Sequence, residues 1–94
     1  MPTFILLTTL TAEGLKTLRS NPERLREVNR DVEGLGAKVV QQWATLGPFD
    51  FVNVVEAPDI ATIAKISVGL GARGSIRIET LPALEIEEFL ATLA

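Results

Sequence analysis

One run of residues, Leu46-Gly47-Pro48-Phe49-Asp50-Phe51-Val52-Asn53-Val54-Val55-Glu56-Ala57, narrows the possible folds more than any other. It opens as a turn and becomes the most hydrophobic strand candidate in the chain. It stops at Pro58-Asp59, where a helix should start. The chain before this run reads as strand–helix–strand, and the chain after it as helix–strand–helix.

The first strand spans Thr3 to Leu10, with Phe4, Leu6 and Leu10 on one face and Ile5 and Leu7 on the other. A strand apolar on both faces belongs in the middle of a sheet covered on both sides. Thr11 is the expected N-cap of a short helix with Leu15 and Leu18 inward. Asn21 and Pro22 restart a longer helix as cap and first residue. Its stripe is Leu25, Val28, Val32 and Leu35, its other faces are charged, and Gly34 and Gly36 stop it. The second strand spans Lys38 to Leu46, with Val39, Gln41, Trp43 and Thr45 on one face. Gly47-Pro48 then makes a tight hairpin into the third strand, Phe49 to Glu56. A second helix comes next with Ile60, Ile63, Ile66 or Ser67, and Leu70 buried, and Gly69, Gly71 and Gly74 break it. Ser75 to Leu81 is the fourth strand, ended by Pro82, and Leu84 to Leu93 is a final short helix.

The expected class is therefore α+β, a ferredoxin-like βαββαβ plan with a C-terminal helix. It predicts a four-stranded antiparallel sheet, the first and third strands central, and helices on one face. The other face still carries apolar side chains and Trp43. We expect it to pack on a second copy, closing a dimeric α/β-barrel.

Composition supports an assembly. A domain of 94 residues holds one core, yet 47% of its residues are hydrophobic and its mean hydropathy is +0.29. A net charge of −3 and a pI near 4.9 argue against nucleic acid and anionic membrane surfaces. No apolar run reaches the roughly 20 residues of a membrane span. No basic region precedes the apolar run at Phe4, so a cytoplasmic location is expected. The chain has no cysteine, histidine or tyrosine. Disulfides, thiolate or histidine metal sites and histidine-activated nucleophiles are excluded, and no cofactor is expected.

The run Thr45-Leu46-Gly47-Pro48-Phe49-Asp50-Phe51-Val52, then Val54-Val55-Glu56-Ala57-Pro58-Asp59, then Gly71-Ala72-Arg73-Gly74-Ser75-Ile76-Arg77-Ile78-Glu79-Thr80-Leu81, resembles the GYD domain family. Weaker echoes are Thr11-Ala12-Glu13-Gly14, Ser20-Asn21-Pro22-Glu23-Arg24 and Leu35-Gly36-Ala37-Lys38-Val39. Phe49 stands where the family's motif carries tyrosine, so a role resting on that phenol is in doubt. The resemblance implies a dimeric α/β-barrel relative and leaves the activity open. That barrel plan serves cofactor-free monooxygenases, isomerases, haem enzymes and ligand-sensing modules.

Three charged residues are candidates for chemistry. Asp50, between two phenylalanines after a turn, reads first as a turn residue accepting backbone N–H groups. Its second reading is a proton acceptor with a raised pKa. Arg77 and Glu79 share one strand face and would point into an inter-subunit cleft, as an anion partner and a base. A structural ion pair is the commoner outcome. Trp43 would wall the cleft or fill the interface. Thr8 and Asn53, with Arg77, are further candidates for ligand contacts. Gly69-Leu70-Gly71-Ala72-Arg73-Gly74 fits the dinucleotide pattern literally, but a helix precedes it and a strand comes after, the reverse of what that site needs.

Three functions remain open at this point. The first is a homodimeric or larger homo-oligomeric module binding a small molecule or partner in its inter-subunit cleft. The second is a cofactor-independent enzyme acting on a small apolar carbonyl or enol compound through Asp50, Arg77 and Glu79. The third is a structural subunit whose terminal helix joins dimers.

Overall fold

The computed structural model describes all 94 residues, Met1–Ala94. Its elements are β1 (Thr3–Leu10), α1 (Ala12–Ser20), α2 (Arg24–Gly34), β2 (Lys38–Ala44), β3 (Phe51–Glu56), α3 (Ile60–Gly71), β4 (Ile76–Ala83) and α4 (Ile86–Thr92). The four strands form one antiparallel sheet in the order β2-β3-β1-β4. The two strands apolar on both faces are the central ones, as expected of the ferredoxin-like plan.

The core lies between the sheet and one layer of helices. Phe4 and Leu6 of β1 and Val55 of β3 meet Val32 of α2 and Ile63, Ile66 and Leu70 of α3. Thr11 caps α1, accepting the Gly14 N–H at 3.1 Å. Its own hydroxyl donates to the Gly74 carbonyl at 2.8 Å, tying the start of α1 to the turn before β4. Asp59 caps α3 through the Thr62 N–H at 2.8 Å.

Several expectations need correction. Asn21 closes α1 rather than opening α2, its N–H donating to the Thr17 carbonyl, and Glu23 occupies the N-cap of α2. Leu15 and Ile60 lie outward, 53% and 67% exposed; Gly14 is the residue buried in α1. The link between β2 and β3 is a six-residue loop, 45–50, so Phe49 and Asp50 precede the strand. Thr45 closes the loop by donating to Asp50 O and Phe49 O, at 2.8 and 2.7 Å. Pro82 does not end β4, which runs to Ala83 as an edge strand, where a proline is tolerated.

The largest correction is in β2. A bulge at Val40 breaks strict alternation, pairing Val39 with Val55, Gln41 with Val54 and Gln42 with Asn53. Val39 thus faces the helices together with Gln42, while Gln41 and Trp43 face the other way.

Candidate functional site

The strand registers sort the candidate residues onto two faces. On the uncovered face one row crosses the whole sheet: Trp43 pairs with Val52, Val52 with Leu7, and Leu7 with Glu79. The next row is Gln41, Val54, Ile5 and Leu81, and Arg77 lies beside Thr9. Trp43 is 47% exposed, and no helix covers these rows. Arg77 and Glu79 are on this face because Ile76 and Ile78 turn toward the core. They form no ion pair; the three ion pairs of the chain are Arg24–Glu27, Arg26–Glu23 and Arg73–Asp31. Phe49, Leu7 and Thr9 share an open hollow with Arg77 and Glu79. Trp43 stands three strand spacings from Glu79, about 14 Å between backbones. One small ligand in one subunit does not touch both.

Asp50 is tied into the structure at three points. Its N–H donates to Thr8 O at 2.9 Å, its carbonyl accepts from Thr45, and its carboxylate accepts the Leu10 N–H at 2.7 Å. That carboxylate satisfies the backbone where β1 gives way to α1. It is not presented to the hollow holding Arg77 and Glu79.

Thr8 and Asn53 lie on the opposite face, beneath the helices, each 7% exposed. Asn53 donates to Leu6 O at 2.7 Å and accepts from Gln42 Nε2 at 2.7 Å. Gln42 and Asn29 of α2 exchange two further bonds, at 2.9 and 3.3 Å. This chain of amides runs from β1 through β3 and β2 to α2. The four ligand-contact candidates therefore divide into Trp43 and Arg77 on the open face and Thr8 and Asn53 inside. Sequence reasoning missed Gln42 and Asn29. Strict alternation put Gln42 on the wrong face relative to Val39, and only the bulge brings it to Asn53.

A third feature is the C-terminal arm. No residue of α4 is buried, and Leu84, Ile86, Phe89, Leu90 and Leu93 are all exposed. The Cα radius of gyration is 14.1 Å, above the roughly 12 Å of a compact chain of this length. From Leu84 onward the chain carries three glutamates and no basic residue. The remaining 83 residues hold nine basic against nine acidic. The negative charge of the protein is thus concentrated in the arm.

Comparison with known proteins adds three findings. The GYD domain model matches residues 4–93. A protein of Thermus thermophilus is 52% identical over 94 residues, covering 99% of both chains. It is named glutamine synthetase and cystathionine beta-lyase binding protein. The crystal structure of TTHA0845 from the same organism superposes with a TM-score of 0.59 over 90% of this chain and 95% of that one. At 21% identity it supports the fold.

Proposed function

The chain belongs to the GYD domain family, and from that premise we propose that it is a small self-associating domain that acts by binding another protein. The observation that carries this reading is the full-length 52% identity to a relative named for binding two metabolic enzymes. The partner is a glutamine synthetase or a cystathionine β-lyase. Two unpartnered apolar surfaces give the domain the means.

The open sheet face suits a second copy. Its rim carries both signs, Lys38 paired with Glu56 and Arg77 near Glu79, around an apolar middle of Ile5, Leu7, Val52, Val54 and Trp43. Such a face is self-complementary about a two-fold axis. The arm suits a different protein. Two copies of an all-acidic helix repel, whereas an apolar groove with a basic rim accepts the stripe Ile86, Phe89, Leu90 and Leu93 together with Glu85, Glu87 and Glu88. The enzyme alternative draws no support from the geometry, since the Asp50 carboxylate is engaged by the Leu10 N–H.

The test is titration calorimetry of the protein against each of the two enzymes purified from the source organism. Saturable binding to either supports the reading, and removing residues 84–94 should weaken it at least tenfold. Absence of heat and of complex in sedimentation for both enzymes at about 50 μM, a weak affinity on the usual scale, overturns it.

A further inference from the structure

The sheet has a second cavity-bearing side, apart from both surfaces assigned above. Beneath α1 and α2 lies a chamber of about 110 Å³, partly open to solvent. Leu6, Leu25, Val28, Val39 and Phe51 contribute its apolar wall. Two contacts between the helices and the rest of the fold border it. Gly14 brings the start of α1 against the Ser75 carbonyl, and the Asn29–Gln42 amide pair links α2 to β2.

The polar groups around the chamber differ in how they are engaged. Asn53, Gln42 and Asn29 are bonded to one another and to Leu6 O. Arg24 and Arg73, half-exposed in the lining, are paired with Glu27 and Asp31, each at 3.0 Å. Thr8 is more than nine-tenths buried in the wall. Its hydroxyl takes part in no hydrogen bond within the chain, yet no fully enclosed polar atom is left without a partner. The hydroxyl therefore opens onto the chamber. Most of the exposed wall is carbon, so water against it finds few polar partners and is readily displaced.

We propose that this chamber is a binding site for a small uncharged molecule, largely apolar, that carries one hydroxyl or carbonyl oxygen placed against Thr8 Oγ1. Its volume sets the size: a cavity of about 150 Å³ admits benzene, so the occupant is of single-ring or short branched-chain dimensions. The paired state of both arginines sets the charge, since neither offers a free cation to an anion. The Thr8 hydroxyl sets the polar requirement. This site does not depend on the open face or on the arm.

The experiment is a ¹³C-methyl NMR titration of the intact protein with phenol and, separately, with benzene. Phenol should saturate shifts in the methyls of Leu6, Leu25, Val28 and Val39. It should bind about two- to tenfold more tightly than benzene, the yield of one added neutral hydrogen bond. Thr8→Val should remove that preference and leave benzene binding in place, while Thr8→Ser should keep it. Val28→Trp, which fills the chamber, should abolish both. The phenol-to-benzene ratio in the unaltered protein reads the same hydrogen bond, so the test stands even if Thr8→Val does not fold. Absence of saturable shifts at these methyls, equal affinity for the two probes, or an undiminished preference in Thr8→Val would each overturn the proposal.

Discussion

At the scale of single residues, Gly14 is the least replaceable position. A Cβ built on it lies 2.0 Å from the Ser75 carbonyl oxygen, a backbone atom that cannot swing aside. The same oxygen accepts the Thr11 N–H at 3.0 Å, so moving it costs a second contact. Gly14→Ala therefore overpacks a junction between α1 and β4 that has no flexible neighbour to yield. We expect a loss of at least about 3 kcal/mol, the upper end of ordinary overpacking. In a domain of this size that lowers the melting temperature by about 12 °C or more. Calorimetric melting of the variant tests it, and a shift below about 4 °C would show that the helix can back away from Ser75. The sequence marked this glycine only as part of the weak family echo Thr11-Ala12-Glu13-Gly14, with no physical reason for it. It sits where a helical glycine usually means only lower propensity, and the reason for it is a carbonyl about 60 positions away. Asp50 was more legible, since a turn aspartate is expected to accept backbone N–H groups. Its actual donor, Leu10, is 40 residues distant and belongs to the strand it terminates.

At the scale of elements, α3 owes its start to Asp59. The Thr62 side chain, and the Thr62 N–H that donates to Asp59 Oδ1 at 2.8 Å, hold the Asp59 carboxyl below its ordinary value of 3.8. A carboxyl depressed in the folded state stabilises the fold above its unfolded pKa, and that contribution disappears as pH falls through the folded value. The window is thus below about pH 4. Asp59→Asn keeps an N-cap acceptor but cannot titrate. The gap in melting temperature between the native protein and this variant should hold from pH 7 to pH 5 and close below pH 3.8. Parallel curves across that range would assign the acid sensitivity elsewhere. The cap itself could be read from Pro58-Asp59. The order of strands and helices was legible for a similar reason, because double-faced apolarity in β1 and β3 demands central places. Boundaries were less so. Pro82 misleads because an edge strand tolerates what a central one forbids. The bulge at Val40 leaves no local signal in Lys38-Val39-Val40-Gln41-Gln42, yet it decides that Gln42 bonds Asn53. Trp43, Arg77 and Glu79 could be placed on one face by alternation, whereas joining Thr8 and Asn53 to them required the pleat to be ignored.

At the scale of the whole molecule, a four-stranded sheet covered on one side has an unsolved burial problem. Its uncovered face spans four strands about 4.8 Å apart and roughly seven residues at about 3.3 Å each, a plan area of about 450 Å². Accessible surface exceeds plan area on a pleated face, so two such faces meeting approach the smallest stable interfaces, near 1,200 Å² in total. An interface that small has no redundancy, and its centre decides its stability. In the proposed dimer Leu7 would be that centre: it pairs with Val52 on one side and Glu79 on the other, in the middle of the row that begins at Trp43. Leu7→Glu would place a carboxylate beside Glu79 and against its own two-fold copy, several like charges in an apolar surround with only Arg77 of the same hollow to offset them. In the single subunit the same side chain is half-buried on an open face, where a glutamate can reach solvent. The substitution should therefore act on association far more than on folding. Sedimentation equilibrium at about 50 μM, a concentration within reach of a weak interface, should show a dimer for the native chain and a monomer for the variant. Their far-ultraviolet circular dichroism should match. Thr9→Lys, beside Arg77 at the rim, should leave the dimer largely intact, since rim charges act mainly on association rate. A native chain that sediments as a monomer would leave the open face to the heterologous partner alone. A Leu7→Glu variant that stays dimeric would show that the open face is not the self-association surface.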